Sequence, residues 1–558
     1  MRALTAVALL AVSASLAQAA EPVAYRRLPL TVYRDRMMGG WLGQIVGVAW
    51  GAPTEFRWCG QLIPEAEMPR WNEDWVNAAF GQDDLYVEMT FLHTLEQYGL
   101  GVSIRQAGID FANSEYQVWC ANRAGRENLR RGIAPPDSSH PHLNRNADDI
   151  DYQIEADFSG LIAPGLPNTA ITLGEKFGRL MNYGDGLYGG QFIGGMYTEA
   201  FFRRDPVQIV EAGLACIPPG SQYAEMVRDI LQWYREDPTD WVATWERVNA
   251  KYLRNPAYRR FSSWGTGDNS VDAVLNGAYV VLGLLYGEGD PERTIVISCR
   301  CGEDSDCNPS SAAGVLFASL GYERIPARFK TRLDRETKWA HTDYNWHSLL
   351  AVCEKLARQA VVAAGGKVVV EEGQEVLLIP RQTPRPSPLM RSWEPGPIAS
   401  SRFTPAERAR IRFPDELTAG LAAVAPGFAL RDCGPDMDSP IFHGEYRGRA
   451  RVLQTHPLNR EIGSRLVRRL DVPAGQRTRL LITAGHHQAG DWLLIVKVDG
   501  ETVWEQPVGP ETAVDGWLET RVDLTPYAGS TIGLEVVNQP TGWMCEAAYW
   551  AQVAVVSE

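Results

Sequence analysis

The sequence predicts a mainly α chain in two parts, a large all-α domain followed by a β-sandwich, and three observations predict it. From about Tyr33 to Val362 apolar residues recur at three- and four-residue spacing, the period of amphipathic helices. That texture stops in a stretch carrying Pro384, Pro386, Pro388, Pro395 and Pro397, which a helix interior does not tolerate. Beyond it, short runs alternate apolar and polar residues between turns such as Asp499-Gly500. With 558 residues, 45% of them hydrophobic and 22% charged, the chain is long enough and apolar enough for more than one core.

The first element is not part of the fold. Arg2 is followed by an apolar run from Ala3 to Leu16 and by Ala17-Gln18-Ala19, the small-x-small pattern of a signal peptidase site. Residues 1–19 are therefore expected to be a signal peptide, and the protein to be exported to the periplasm or secreted. No later stretch is apolar for long enough to span a membrane. The all-α domain is expected over residues 24–365. Its helices are placed at Arg34–Val48, Leu85–Tyr98, Ser103–Ala121, Asp205–Cys216, Tyr223–Arg235, Trp241–Tyr252, Asn269–Tyr286, Pro291–Ser298 and Ser310–Leu320. Lys367–Pro380 alternates like a hairpin and opens a linker or extended wrap over residues 366–400. The sandwich follows over 401–558. Its strands are placed at Leu466–Val472, Thr478–Thr483, Trp492–Val498, Thr502–Pro507, Thr520–Leu524, Thr531–Asn538 and Ala548–Val556.

Charge and cysteines narrow the function classes. Lys and Arg total 54 against 68 Asp and Glu, a formal charge of -14 with no basic run, so the surface repels phosphate backbones and nucleic acid is not the expected partner. Nine cysteines without paired CxxC spacing exclude a zinc ribbon or a disulfide scaffold. An oxidising compartment would allow one or two bridges and leave at least one thiol.

The chemistry is expected where two helices begin. Gly81-Gln82-Asp83-Asp84-Leu85 precedes apolar positions at Leu85, Met89, Leu92 and Leu95, which puts both carboxylates in the first turn of an amphipathic helix. Gly302-Glu303-Asp304-Ser305-Asp306-Cys307-Asn308-Pro309 precedes a small-residue helix, with Asn308 as cap and Pro309 at the first helical position. Either cluster alone is adequately explained by the helix dipole. Brought together, their carboxylates would repel unless a divalent cation sat between them, and oxygen ligands point to Mg²⁺, Mn²⁺ or Ca²⁺.

These motifs, together with Gly39-Gly40-Trp41-Leu42-Gly43-Gln44 through Gly51-Ala52-Pro53-Thr54-Glu55 and the closing Gly321-Tyr322-x-x-Ile325-Pro326, resemble the ADP-ribosylglycohydrolase family over roughly residues 33–330. The resemblance implies an all-α fold with a central cleft for two divalent ions, usually Mg²⁺. It implies that Asp83 and Asp84 correspond to the paired aspartates of a Thr-Asp-Asp triplet, and Asp304 and Asp306 to those of an Asp-x-Asp-Thr/Ser motif. Three positions depart from the pattern. Gln82 stands in place of Thr, Cys307 in place of Thr or Ser, and Val48 where many members have Asp. A Gln carbonyl still ligates, whereas a thiol is a poor ligand for a hard ion, so one metal position is expected to be altered. Glu55 matches a glutamate on a mobile loop that serves some members as acid/base group. Glu55, Asp83 and Asp304 are accordingly the catalytic candidates, and Gln82, Asp83, Asp84, Asp304, Asp306 and Cys307 the metal candidates.

A third polar concentration, Asp151, Gln153, Glu155 and Asp157, alternates with Tyr152, Ile154 and Phe158 and is expected either to contact substrate or to be an exposed acidic start of a strand or helix. Asp185 and Tyr188 lie in Asn182-Tyr183-Gly184-Asp185-Gly186-Leu187-Tyr188-Gly189-Gly190, read as a turn-rich loop within reach of a sugar. Trp492, Trp504, Trp517, Trp543, Tyr549 and Trp550 crowd the strand-rich part, either as core or as a carbohydrate-binding surface. The expected ligand is a small molecule or a glycan. The expected reaction is metal-assisted hydrolysis of an ADP-ribosyl or nucleoside-like bond. An exported O-glycosidase with the same site and an inactive glycan-binding protein are the alternatives.

Overall fold

In the computed structural model the chain is described for residues 24–258, 261, 271–434 and 436–558, and it divides into two compact units between Pro405 and Ala406. The expected signal peptide lies outside the described residues. Among the described residues no helix is long and apolar enough to cross a membrane, and no disulfide forms, so the bridges expected of an oxidising compartment are not present.

The first unit is helical. Its opening helix runs Leu30–Gly51 and packs along the helix Cys307–Leu320. Glycine at every fourth position makes this contact unusually close. A Cβ on Gly39, Gly43, Gly47 or Gly51 would lie 2.2–2.3 Å from a backbone oxygen of Phe317, Ala313, Pro309 or Ser305 respectively. The two backbones therefore touch along four turns, and the stripe ends on the turn that carries Asp304 and Asp306. The acidic helix Asp83–Tyr98 buries Leu85, Met89, Leu92 and Leu95 as its periodicity predicts.

Several elements differ from expectation. The stretch Ser103–Ala121 is two helices, Ile104–Ala112 and Cys120–Arg130, because Asn113 ends the first and Cys120 starts the second with φ +37°. Helix Cys307–Leu320 begins at Cys307 after Asp306, two residues before Pro309, so Asn308 does not cap it. The loop expected around Asp185 is the first half of a buried helix, Asp185–Ala200. Its glycines admit neighbours: a Cβ on Gly190 would strike the Tyr152 ring and one on Gly194 the Ser159 hydroxyl.

A small antiparallel sheet closes this unit. β1 (Tyr25–Pro29) pairs with β3 (Gln374–Pro380), which also pairs with β2 (Lys367–Glu371). The Pro-rich segment is laid over the helices as a wrap. Arg385 donates its N–H to Asn168 Oδ1 at 2.8 Å, Gly396 to the Tyr183 hydroxyl at 3.1 Å and Ala399 to Asp137 Oδ1 at 3.1 Å.

The second unit is a sandwich of two five-stranded antiparallel sheets. One has the order β10-β9-β12-β7-β4 and the other β11-β8-β13-β6-β5. The strands are β4 (Ala429–Arg431), β5 (Ile441–Tyr446), β6 (Arg449–Thr455), β7 (Ser464–Asp471), β8 (Thr478–His486), β9 (Trp492–Val498), β10 (Glu501–Val508), β11 (Trp517–Asp523), β12 (Thr531–Gln539) and β13 (Ala548–Ser557). β9 shows the two-residue period directly: Trp492, Leu494, Val496 and Val498 point into the core and the residues between them do not. Trp492 and Trp550 meet edge to face at 5.1 Å in that core. Trp517 and Tyr549 are buried in a separate small cluster with Val452. Trp543 is half-buried against His456, next to an exposed Met544.

Candidate functional site

The structure brings the two acidic helix starts together. Asp83 and Asp84 are the first residues of their helix, and Asp304, Asp306 and Cys307 form the turn leading into the helix Cys307–Leu320. One ligand atom from each of Asp304, Asp306 and Cys307 lies within 4.8 Å of the others. Asp84 joins them through its Oδ2, which accepts from the Cys307 thiol at 3.2 Å, while the same sulfur lies 3.7 Å from Asp306 Oδ1. Gln82 is half-buried ahead of the acidic helix and makes no side-chain cap there.

The turn is held from two sides. Asn276, on the helix Ala273–Tyr286, accepts from the Asp304 N–H at 3.3 Å and from Asn308 Nδ2 at 2.8 Å through one oxygen. Glu303, buried and at φ +56°, accepts from the Gly60 N–H at 2.7 Å, and its backbone exchanges bonds with Phe56 and Trp58. Gly302 is required beside it: at φ +87° a Cβ would lie 2.3 Å from the Trp58 oxygen. Thr54 Oγ1 reaches Ser305 Oγ at 2.8 Å. The loop after Glu55 is thus stitched to the metal-candidate turn. Neither Asn276 nor Glu303 was singled out from sequence. Glu303 had a signal in its place within the acidic run, whereas Asn276 is an ordinary polar residue in an apolar helix.

Electrostatics follow from crowding carboxyls where, among the described residues, no Lys or Arg is seen hydrogen-bonded to them. Burial first, and then Asp306, push Asp83 up to about 6. Burial followed by the charges of Asp306 and Asp83 pushes Asp84 well above the carboxylate range, and burial followed by Asp306 does the same to Asp304. Asp306 is raised chiefly by burial. Glu55, an exposed residue with a partly enclosed carboxyl end, is pushed up to about 7 by that enclosure, then by Asp306 and Asp83. Asp84 Oδ1 and Asp304 Oδ1 are buried without a hydrogen-bond partner. Each such oxygen costs about 1–3 kcal/mol, which a cation between the two helix starts would offset. The carboxylate set therefore fits a divalent ion, and the sulfur among them is the departure.

The third polar block does not line a surface. Asp151 accepts from the Ala121 and Asn122 N–H groups at 3.2 and 2.9 Å and so caps the helix Cys120–Arg130. Glu155 Oε1 binds the Asn122 amide, and Asp157 lies behind Asp84 near the buried Glu88, whose Oε2 accepts from the Phe158 N–H at 2.7 Å. Gln153 Oε1 accepts from the Tyr223 hydroxyl at 2.9 Å. All four are buried, so the alternative of an exposed acidic start is corrected: they form a polar layer behind the acidic turn. Asp185 and Tyr188 are buried as well, on a helix and not in the turn-rich loop the sequence suggested. Asp185 accepts from the Tyr223 N–H at 3.0 Å, at the start of helix Gln222–Glu236. The Tyr188 hydroxyl donates to the Pro388 oxygen at 2.8 Å and accepts from the Met390 N–H at 2.6 Å, so it pins the wrap.

Comparison with known proteins agrees with the helical unit. A family model described as ADP-ribosylglycohydrolase matches residues 29–364. Among solved structures, an ADP-ribosylglycohydrolase-related protein complex is similar at 17% identity, covering 59% of this chain and 99% of that chain with a TM-score of 0.37. A family 35 carbohydrate-binding module (CBM35) from Paenibacillus barcinonensis is similar at 15% identity, covering 24% of this chain and 96% of that one with a TM-score of 0.18. The CBM22-1 xylan-binding domain of Xyn10C from the same organism is similar at 12% identity, covering 24% and 88% with a TM-score of 0.18. A search of curated proteins gives no match. The family model spans more than half of the chain and includes both acidic helix starts, and the chain belongs to the ADP-ribosylglycohydrolase family.

Proposed function

We propose that the protein hydrolyses a glycosidic bond with the help of a divalent cation, and that its substrate is an ADP-ribosyl or nucleoside-like compound. The observation that carries this reading is the meeting of Asp84 with Asp304, Asp306 and Cys307 around buried carboxylate oxygens that have no partner. Asp83, Asp84, Asp304 and Asp306 would hold the cation, which supplies electrostatic offset for charge developing as a C1 bond breaks and a grip on vicinal hydroxyls. Glu55 is the carboxyl on the solvent side of the cluster. It is positioned to move a proton to or from water or the leaving oxygen while Asp83 and Asp304 are engaged as ligands. The Thr54–Ser305 and Glu303–Gly60 bonds tie the chain on either side of Glu55 to the acidic turn. The signal-type start of the sequence favours a second reading, in which the same site acts on an O-glycoside outside the cytoplasm.

The test is a thermal-shift titration with divalent cations, followed by assays of ADP-ribosyl-arginine, ADP-ribosyl-serine and plant and microbial oligosaccharides with and without chelator. The expected result is cation-dependent stabilisation and cation-dependent release from one substrate class, both abolished by Asp83→Asn and by Asp304→Asn. Absence of both in the wild type would overturn the enzyme reading and leave the inactive glycan-binding alternative.

A further inference from the structure

Cys307 interrupts a site otherwise built from oxygen. Cys307 packs in a small apolar cluster with Ile150 and Ala273, yet its sulfur stands between two carboxylates, 3.2 Å from Asp84 Oδ2 and 3.7 Å from Asp306 Oδ1, within the same 4.8 Å group as a ligand atom of Asp304. Two further oxygens of this cluster, Asp84 Oδ1 and Asp304 Oδ1, are enclosed with nothing to bind. Cys307 is also the first residue of a 14-residue helix, so its position is fixed by that helix start.

We propose that the Cys307 sulfur is itself a ligand, and that the site therefore selects a thiophilic divalent ion, of which Zn²⁺ is the type, over Mg²⁺. This inference rests on the metal site proposed above and concerns which ion it takes. In the cation-free state the thiol donates to Asp84 Oδ2. On binding, the proton leaves to solvent, the sulfur–metal bond forms, and Asp84 Oδ2 is released to serve as an oxygen ligand. No oxidant or reductant is involved. Mg²⁺ takes oxygen ligands in octahedral geometry and gains little from sulfur, whereas Zn²⁺ binds thiolate and carboxylate together.

Cobalt(II) is the probe, because a thiolate ligand gives it a charge-transfer absorption that carboxylates do not. Full-length protein stripped with chelator is titrated with Co²⁺, then competed with Zn²⁺ and with Mg²⁺, in the wild type, Cys307→Ser, Cys120→Ser and Asp304→Asn. Cys120 is included because it packs against the same small cluster as Cys307. The expected result is a sulfur charge-transfer band in wild type and Cys120→Ser, displaced by Zn²⁺ but not by Mg²⁺ at equal concentration. Cys307→Ser should still bind Co²⁺ but lose the band, with its preference for Zn²⁺ over Mg²⁺ reduced about tenfold or more. Co²⁺ binding without the band, a band that survives Cys307→Ser, or an unchanged preference in that variant overturns the sulfur ligand while the carboxylate site stands. Failure of any cation to bind wild type, with Asp304→Asn indistinguishable from it, overturns the metal reading itself.

Discussion

Replacing Gly47 by Ala tests whether the glycine stripe positions the acidic turn. In an unpacked helix the change would stabilise by about 1 kcal/mol, since alanine has the higher helix propensity. Here the new Cβ would sit 2.2 Å from the Pro309 oxygen, 2.4 Å from its carbonyl carbon and 2.5 Å from the Ser310 nitrogen. All three are backbone atoms, so no rotamer change relieves the clash, and the helices must separate by about 1 Å to restore contact distance. Overpacking of this kind costs about 3 kcal/mol, at the upper end for a single methyl. The net expectation is a loss of about 2 kcal/mol, or roughly 4 °C in melting temperature. Because Asp306 lies one turn from Pro309, the same shift should weaken cation binding, and a misplacement of about 1 Å at a catalytic group can cost on the order of 100-fold in rate. The assay is differential scanning fluorimetry with and without cation, with Gly101→Ala as control, since a Cβ there meets nothing within 4 Å. A Gly47→Ala protein that melts at or above wild type and keeps its cation affinity would refute the close-approach argument.

Other outcomes follow from residues away from the acidic turn. Burial pushes Asp185 up to about 7 while it accepts from the Tyr223 N–H. Because its folded pKa lies above the unfolded value, its contribution is fully present below about pH 4 and is lost as pH rises through 7. Asp185→Asn keeps an acceptor for Tyr223 without the buried charge. It should therefore raise stability at pH 8 by on the order of 2 kcal/mol, change it little at pH 4, and flatten the pH dependence of urea denaturation between them. Tyr188→Phe removes both hydroxyl bonds to the wrap and should cost about 1–2 kcal/mol, with faster proteolysis within residues 381–403. Trp492→Ala should cost about 3–5 kcal/mol and lower the melting of the sandwich, read from its near-ultraviolet dichroism.

What the sequence made legible was local. The helical spacing of Leu85, Met89, Leu92 and Leu95 located the acidic helix, and the alternation in Trp492–Val498 located β9 to the residue. The acidic cluster was legible where residue type and helix start coincided, at Asp83, Asp84, Asp304, Asp306 and Cys307, which the fold brings together. The reading failed where tertiary contact overrides composition. Asp151, Gln153, Glu155 and Asp157 allowed an exposed acidic face because they are polar, yet each is buried, with partners or neighbours far along the chain. Glycines at 186, 189 and 190 read as a loop, although Gly186, Gly190 and Gly194 repeat the four-residue spacing of Gly39 to Gly51 and mark a closely packed helix. Strands β4 and β5 went unassigned because their burial is shallow at the edge of each sheet, and β6, an inner strand, because its buried residues run consecutively from Val452 to Thr455 without alternation.

The small sheet that closes the helical unit sets a constraint on how the protein reaches its native state. Tyr25 pairs with Pro380 and Pro29 with Val376, so the partner of the first described strand is made only after every helix of that unit has been synthesised. Until then β1 has an unsatisfied edge, and the segment that pins the wrap to Tyr188 and Tyr183 does not yet exist. A nascent chain stopped short of β3 is therefore a non-native, association-prone species however complete its helices are, and a stable fragment of the helical unit must extend through the wrap to about Phe403.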